Sequence, residues 1–195
     1  MADALTAYRG KRDFKATPEP EGAPARPVKG LAYVIQKHAA SSLHYDFRLE
    51  LDGTLKSWAV PKGPSLDPAQ KRMAIHVEDH PLAYGSFEGT IPPNQYGAGQ
   101  VIVWDRGLWE PVGDAGAGYR AGKLEFRLEG EKLHGLWVLV KMHGRAGERQ
   151  EPWLLMKGRD DEARPAAEYD VVDALPDSVL TPGLGIAPKP AKRKA

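Results

Sequence analysis

The chain has 195 residues, a net charge of +1 and no cysteine, and this length fits one domain with tails. The lack of cysteine excludes disulfide scaffolds, thiolate metal sites and cysteine nucleophiles, so any metal must be held by His, carboxylate or water. No run of about 18 apolar residues could cross a bilayer and no signal-peptide pattern opens the chain, so we expect a soluble, cytoplasmic protein. Four basic residues near the C-terminus leave residues 1–188 with a charge of −3, and charge alone therefore does not indicate nucleic-acid binding.

The predicted elements begin with a short helix within residues 3–12, and a Pro- and Gly-rich stretch at 16–30 follows that is too poor in apolar residues to fold alone. Nine segments of alternating apolar and polar residues come next, as is typical of half-buried strands. They cover residues 31–38, 43–51, 54–60, 72–79, 83–89, 100–107, 123–130, 132–142 and 152–158. A second short helix is expected within residues 160–169, and residues 181–195 have the composition of a tail or linker.

Turn residues between the strands favour hairpins. Asp52-Gly53 and Gly130-Glu131 lie where tight hairpins need a positive φ. We therefore predict a mostly β fold, a small antiparallel β-barrel of about eight strands with one or two short peripheral helices. The expected organisation is an N-terminal extension at 1–30, the barrel domain at 31–160, a C-terminal peripheral segment at 161–180 and a flexible Pro- and Lys-rich tail or linker at 181–195.

The segment 43–51 carries apolar residues on one face and chemically active residues on the other. The apolar face is expected to be core, and the polar face holds His44, Asp46, Arg48 and Glu50. If the preceding strand pairs with this one, His38 comes to lie near His44 and Asp46. Two imidazoles and one carboxylate would then form a site with open positions, suited to manganese, zinc or iron. The plainer interpretation is a surface His–Asp pair.

A second polar row occupies residues 72–80. Met73, Ile75 and Val77 are expected on the apolar side, and the polar side holds Arg72, His76, Glu78 and His80. Pro81 should end the strand and place His80 at a rim. Together with Arg48, Arg72 and Lys62, His80 would form a cluster of donors for phosphate oxygens, and Tyr84 is a further candidate contact to phosphate or ribose. Alternatively, the cations only neutralise nearby carboxylates.

These residues together resemble a known family, the 3′-phosphoesterase domain of DNA ligase D, the multifunctional enzyme of bacterial non-homologous end joining. The resemblance runs from about Tyr8 to Lys157. It is carried by RDF at 12–14, TPE at 17–19 and the stretches 34–65, 72–92 and 96–107.

The resemblance implies a β-barrel metalloenzyme that removes a terminal 3′-ribonucleoside to leave a 3′-phosphate and then hydrolyses the phosphate to a 3′-OH. It implies Mn²⁺ as cofactor, although the ligands also suit zinc or cobalt. The implied metal ligands are His38, His44 and Asp46, and the residues around the scissile phosphate are Arg48, His80 and Tyr84. Gln36 and Glu78 match supporting positions, and Lys62 and Arg72 match the phosphomonoesterase step. In the N-terminal extension, Arg12, Asp13 and Glu19 match an element that packs back onto the site.

The implied partners are DNA 3′ ends, in particular a primer-template with a 3′-ribonucleotide or 3′-phosphate, the ligase and polymerase domains of DNA ligase D, and the Ku end-binding protein. The implied location is the nucleoid, with no membrane. Two other functions are compatible with the residues alone. One is a non-catalytic module that holds nucleic-acid ends and uses the basic tail as an anchor; the other is a cupin-like small-molecule metalloenzyme, which has little use for so many phosphate-type cations.

Overall fold

The computed structural model describes residues 3–22, 29–143 and 151–186. Strands dominate these ranges: β1 Leu31–Ala39, β2 Leu43–Leu51, β3 Thr54–Val60, β4 Arg72–His80, β5 Gly89–Ile91, β6 Gly99–Pro111, β7 Lys123–Gly130, β8 His134–Lys141 and β9 Pro152–Lys157. The helices are short: α1 Thr6–Gly10, α2 Ala115–Ala121 and α3 Val171–Ala174, with a 3₁₀ turn at Leu82–Ser86. The predicted mostly β fold with few short helices is confirmed.

The strands close into an antiparallel barrel. Eight strands of the described ranges follow one another in the order β1-β2-β3-β4-β9-β8-β7-β6, and β6 pairs back with β1. The short strand β5 pairs with the start of β6. It lies on the same side of β6 as β7, which pairs with the end of that strand. Closure leaves no free edge on these eight strands, as a closed barrel requires.

Two separate cores lie on the two sides of the β1–β3 sheet. The barrel interior is filled by aromatic and aliphatic side chains that include Tyr45, Phe47 and Trp58. The outer face of the same strands carries a second apolar cluster formed by Tyr8, Val34, Leu55, Tyr84, Phe87, Ile91, Val101 and Val103. Because side chains alternate along a strand, His44, Asp46 and Arg48 point to this outer face. The polar residues of β2 are therefore enclosed between the barrel wall and a second layer.

Two local predictions were wrong, and one helix was not predicted. Residues 83–89 do not form a strand, because Pro81 is followed by the 3₁₀ turn, and only Gly89–Ile91 is extended. Residues 160–169 form turns rather than a helix, since Pro165 removes a helical donor and Asp160 instead binds the side chain of Lys157. Helix α2 was not predicted, although Asp114 accepts from the amide of Ala117 as its N-cap.

The two predicted hairpin turns behave differently. Asp52 and Gly53 have φ values of 52° and 77°, as a tight two-residue hairpin requires. The second predicted hairpin, between β7 and β8, is present, but Gly130 does not adopt a positive φ, so the predicted conformation of this glycine was wrong. A Cβ at Gly130 would lie 1.7 Å from the hydroxyl oxygen of Tyr33. Glycine is needed there because a buried side chain approaches the backbone closely.

The C-terminal described residues pack against the barrel. The indole nitrogen of Trp104 donates to the carbonyl oxygen of Leu175 at 2.6 Å, and the amide of Val179 donates to the carbonyl oxygen of Val103 at 2.9 Å. Part of the predicted tail, residues 187–195, and residues 1–2 and 23–28 of the predicted extension lie outside the described residues. Among the helices of the described ranges, none is long and apolar enough to span a membrane.

Candidate active site

Three potential metal ligands converge at the β1–β2 hairpin. His38 and His44 lie directly opposite each other, and Asp46 follows two residues later on the same face. One ligand atom of each side chain lies within 4.8 Å of the other two. The predicted convergence of these three residues is confirmed.

The hydrogen bonds of the two imidazoles favour metal binding. Nε2 of His38 lies 2.7 Å from the carbonyl oxygen of Gly97, and Nδ1 of His44 lies 3.1 Å from that of Ser42. A carbonyl oxygen only accepts, so each of these two nitrogens carries a proton. The other two nitrogens lie 3.5 and 3.7 Å from the carboxylate oxygens of Asp46. Imidazoles that donate one N–H to the backbone and direct the other nitrogen to a shared space are typical of metal ligands, and the residues therefore fit a divalent cation.

The surroundings of Asp46 favour its ionised form. Burial alone would raise the pKa of this carboxyl, but the Arg48 guanidinium, with Nη2 3.1 Å from Oδ2, holds the pKa of Asp46 well below its usual range. The ionised carboxylate also lies next to one ring nitrogen of each histidine. A bound cation would satisfy all three groups.

Arg48 connects the triad to the rest of the site. Its Nε donates to the amide oxygen of Gln36 at 2.8 Å, and its Nη1 lies 3.0 Å from Nδ1 of His80. The Gln36 amide nitrogen donates in turn to the carbonyl oxygens of Tyr84 and Phe87, both at 3.0 Å. Gln36 is fully buried and does not line the pocket, so its place is behind Arg48, where it fixes the guanidinium.

His80 lies between two guanidinium groups. Its Nδ1 is 2.9 Å from the carbonyl oxygen of Glu78, and its Nε2 is 3.4 Å from Nη2 of Arg12. Burial lowers the pKa of His80 strongly, and Arg48 and Arg12 lower it further, so the ring is neutral at neutral pH. If Nδ1 of His80 carries the proton and donates to the Glu78 carbonyl, this nitrogen cannot accept a hydrogen bond from Arg48. The Nη1 donor of Arg48 is then available for an anion.

The N-terminal segment supplies the second guanidinium. Arg12 stacks 3.9 Å over the ring of Tyr8, and its Nε donates to the carboxylate of Glu19 at 2.8 Å. The same Glu19 accepts from the Tyr84 hydroxyl at 3.1 Å. Lys11 adds a 3.0 Å ion pair with Glu78. Loss of one partner of a buried charge pair leaves the other charge uncompensated. These contacts therefore hold the N-terminal segment against the site.

These side chains surround one pocket of about 270 Å³. The sequence-predicted residues in its lining are Arg12, His38, His44, Asp46, Arg48, Glu78, His80 and Tyr84. Gln36 and Glu19 contact that lining from behind. The pocket therefore combines a candidate cation site with two guanidiniums.

Besides Gln36 and Glu19, three predicted site residues do not line the pocket. The exposed Asp13 accepts from the amide of Lys15 at 3.0 Å and so stabilises a local turn. Lys62 is exposed in the turn after β3, and Arg72 lies at the start of β4, with its Nε buried and unpartnered among the described residues. Tyr45 pairs with Val60, and Ala59 pairs with Ile75. If these pairings are continued along the strands, Lys62 and Arg72 lie at the end of the sheet where His44 lies.

The face assignment on β4 was wrong because the strand contains a bulge. The register changes from Ser57 opposite Val77 to Leu55 opposite His80, which adds one residue on β4. Val77 consequently faces the pocket together with Glu78 and His80. His80 is also buried rather than at a rim.

In the first half of β4, the residues of even number point to the barrel core and not to the pocket. Ala74 belongs to the barrel core, His76 packs against Trp58 and Trp153, and Met73 is 42% exposed. The bulge thus separates the residues of the first half of the strand from those of the pocket.

Sequence reasoning missed the loop between β5 and β6. Tyr96 and Gly97 line the pocket, and the Gly97 carbonyl oxygen is the acceptor for His38. Gly97 has a φ of 74°, and Asn94 has a φ of 70°. The signal available in the sequence was the Asn and Gly content of this loop, which is typical of left-handed backbone.

A larger groove of about 630 Å³ lies elsewhere, near Trp109, Leu128 and Asp160. Asp160 is already engaged by the amide of Leu136 and by Lys157. No set of His and carboxylate ligands at metal spacing occurs there among the described residues. The chemistry therefore points to the smaller pocket.

Comparison with known proteins agrees with this geometry. The family model described as the DNA Ligase D 3′-phosphoesterase domain matches residues 36–141, more than half of the chain. The multifunctional non-homologous end joining protein LigD of Pseudomonas aeruginosa is 56% identical over 98% of the chain, and the corresponding DNA repair protein of Mycobacterium tuberculosis is 41% identical over 87%. The chain spans only 23% and 22% of these two relatives. The chain belongs to the DNA ligase D 3′-phosphoesterase domain family.

Proposed function

We propose that this chain is a metal-dependent phosphoesterase that heals DNA 3′ ends in bacterial non-homologous end joining. It removes a 3′-terminal ribonucleoside to leave a 3′-phosphate and then hydrolyses that phosphate to a 3′-OH. The observation that carries the proposal is the convergence of the His38, His44 and Asp46 triad with the guanidiniums of Arg48 and Arg12 in one pocket. Family membership supports hydrolysis of a phosphate ester.

His38, His44 and Asp46 would hold the cation, for which we propose Mn²⁺, with zinc and cobalt as alternatives that accept the same ligands. When bound, such an ion supplies a Lewis acid for a phosphate oxygen. The chain contributes the orientation of the ligands, because the Gly97 and Ser42 carbonyls fix the two imidazole rings.

Arg48 and Arg12 would bind the phosphate oxygens that do not face the triad. Both guanidiniums are held by other side chains, Arg48 by Gln36 and Arg12 by Glu19, so little reorganisation is needed as charge develops in the transition state. Tyr84 would keep Glu19 in place through its hydroxyl, and Glu78 would hold Lys11 and Arg12 through its carboxylate.

His80 has two candidate roles, a general acid and a fixed contact to the phosphate. In the free pocket its ring is neutral, so Nε2 can accept a proton. A phosphate between the two guanidiniums would offset the positive charge that lowers the pKa of His80, and Nε2–H could then donate to the leaving oxygen. Replacement of His80 by Arg separates the roles, because retained activity would exclude proton donation.

One site would serve both steps with different nucleophiles. For nucleoside removal, the proposed nucleophile is the 2′-OH of the neighbouring ribose, which expels the 5′-oxygen of the terminal nucleoside and forms a 2′,3′-cyclic phosphate. Water would then open this ring to the 3′-phosphate, and water must also attack the terminal phosphate in the second step. The additional charge of a phosphomonoester would be met by Lys62 and Arg72, which lie toward the His44 end of the sheet. Loss of phosphatase activity alone in Arg72→Ala would support this assignment, whereas equal loss of both activities would count against it.

The proposed substrate is a DNA 3′ end in a primer-template that carries a 3′-ribonucleotide or a 3′-phosphate. The relatives are named multifunctional end-joining proteins and are more than four times as long as the matched region. We therefore also propose that the domain works beside ligase and polymerase domains and the Ku protein, at the nucleoid in the cytoplasm.

The test is a gel assay with a 5′-labelled primer-template that ends in ribonucleotides, with and without Mn²⁺. We expect shortening to a 3′-phosphate and then a 3′-OH in the wild type, and neither product in His44→Ala. Absence of cleavage under every divalent metal, with DNA binding intact, would contradict the proposal and favour the non-catalytic end-binding module.

A further inference from the structure

We infer that Tyr96 is a stacking platform for the nucleobase of the nucleotide whose 3′-oxygen carries the processed phosphate. The inference rests on the proposed function and adds the part of the substrate that the pocket recognises beyond phosphate. None of the contacts described above accounts for the ring of Tyr96.

Tyr96 is unusual among the aromatic residues of the chain. Its exposure is 48%, and it is the one aromatic among the large apolar side chains that are exposed in the described ranges. It also lines the same pocket as the triad and the two guanidiniums. An exposed aromatic ring at the mouth of a phosphate pocket is placed to meet the group attached to that phosphate.

Cations occupy part of the surroundings of the ring. Nζ of Lys11 lies 4.7 Å from the ring centroid and 3.3 Å from the hydroxyl oxygen, and the guanidinium carbon of Arg12 lies 5.5 Å from the centroid. Such cation–π contacts hold the ring in position. The exposed remainder of the ring offers a flat apolar surface next to positive charge, the combination that binds single-stranded ends without base preference.

The loop that carries Tyr96 is also built into the metal centre. The amide of Gln95 donates to the carbonyl oxygen of Pro92 at 3.2 Å, and the amide of Ala98 donates to that of Gln95 at 3.1 Å. The next residue after Tyr96 is Gly97, whose carbonyl oxygen fixes His38. The same turn therefore sets the distance between the ring and the triad, so that a base stacked on Tyr96 would position its phosphate at the cation site.

Stacking can be measured without catalysis. The probe is a DNA strand that ends in 2-aminopurine with a 3′-phosphate, annealed to a template and added to the protein in buffer without divalent metal. We expect the fluorescence of 2-aminopurine to be quenched by wild type and by Tyr96→Phe, which keeps the ring. In Tyr96→Ala the quenching should be lost and the Kd should rise about 10-fold.

Met73→Ala is the matched control, because Met73 is an apolar side chain of similar exposure at the other end of β4 from His80. It should behave as wild type. Equal quenching by Tyr96→Ala and wild type would overturn the inference, as would equal loss of quenching in Tyr96→Ala and Met73→Ala.

A second measurement uses hydrolysis of 3′-phosphates with Mn²⁺. Wild type should have a lower KM for a strand with a terminal base than for one that ends in an abasic tetrahydrofuran residue, with similar kcat. Tyr96→Ala should show nearly equal KM values for both strands, and Mn²⁺ affinity unchanged from wild type. Persistent discrimination in Tyr96→Ala would overturn the inference. If wild type quenches the probe but hydrolyses neither strand, the platform stands and the proposed activity fails.

Discussion

Gln36 and Arg48 lie on neighbouring strands, and the amide oxygen of Gln36 accepts a 2.8 Å hydrogen bond from Nε of Arg48. Both side chains are buried, so Gln36 controls where the guanidinium can lie. Gln36→Leu should lower kcat about 10- to 100-fold, because Arg48 loses its fixed acceptor and the 3′-phosphate is less well oriented. It should also destabilise the fold by about 1–3 kcal/mol, since buried polar groups lose their partner.

The matched variant for Gln36 is Gln36→Glu, which keeps acceptor oxygens for Arg48 and removes the donors to the carbonyls of Tyr84 and Phe87. Activity measured beside thermal unfolding separates the two effects. Equal activity of Gln36→Leu and wild type would show that Arg48 does not depend on this contact.

The N-terminal segment should detach when Glu19 is replaced. Glu19→Leu removes the acceptor shared by Arg12, Tyr84 and Thr17, which leaves the Arg12 guanidinium without its closest anion. We expect faster proteolysis within residues 3–22 and a fall in kcat. Lys15→Ala is the control, because the exposed side chain of Lys15 has no contact to the pocket. Unchanged proteolysis in Glu19→Leu would show that the apolar contacts of Tyr8 hold the segment alone.

His80 should remain neutral to unusually low pH. Burial and the two guanidiniums lower the pKa of His80 well below 6.5, so the unfolded chain takes up a proton before the folded one does. The stabilisation is therefore fully present above pH 6.5 and is lost as the pH falls toward the folded pKa. NMR titration of the His80 ring in metal-free protein checks this shift, and Arg12→Met should move the pKa of His80 upward. Titration near 6.5 in wild type would contradict the described environment.

Divalent metal should stabilise the protein through the triad. Mn²⁺ at a free concentration of 100 times its Kd is expected to raise the free energy of unfolding by about 2.7 kcal/mol. The gain should disappear in His44→Ala and on addition of a chelator, as measured by thermal unfolding. His134→Ala provides the comparison, because His134 is an exposed histidine outside this pocket. An equal gain in His44→Ala would place the ion elsewhere.

Gly130→Ala should be strongly destabilising. The added methyl would lie 1.7 Å from the Tyr33 hydroxyl oxygen, and Tyr33 is held by a 2.7 Å hydrogen bond to the buried Asp105. We expect a loss of about 1–3 kcal/mol, as for other overpacked sites. Gly10→Ala meets nothing within 4 Å and should have little effect. Urea unfolding of both variants tests the difference.

The triad could be predicted because it depends on one hairpin. The spacing of five residues between His38 and His44 and the alternation of side chains were enough to bring His38, His44 and Asp46 together. The position of His80 could not be predicted in the same way. The bulge on β4 changes the face of the sheet to which the His80 side chain points, and no residue in the local sequence indicates this bulge. Tyr96 escaped prediction because its location depends on a loop whose turns place it beside residues from other strands.

The outer wall of the barrel, rather than its interior, carries the pocket. A double helix is far too wide to enter a small barrel whose lumen is filled with aromatic side chains. On the outside, the end of the proposed DNA substrate can approach along a tangent, with the rest of the duplex extending away from the protein. The filled lumen then acts only as a rigid support, and this arrangement suits a substrate whose reactive group is its last few atoms.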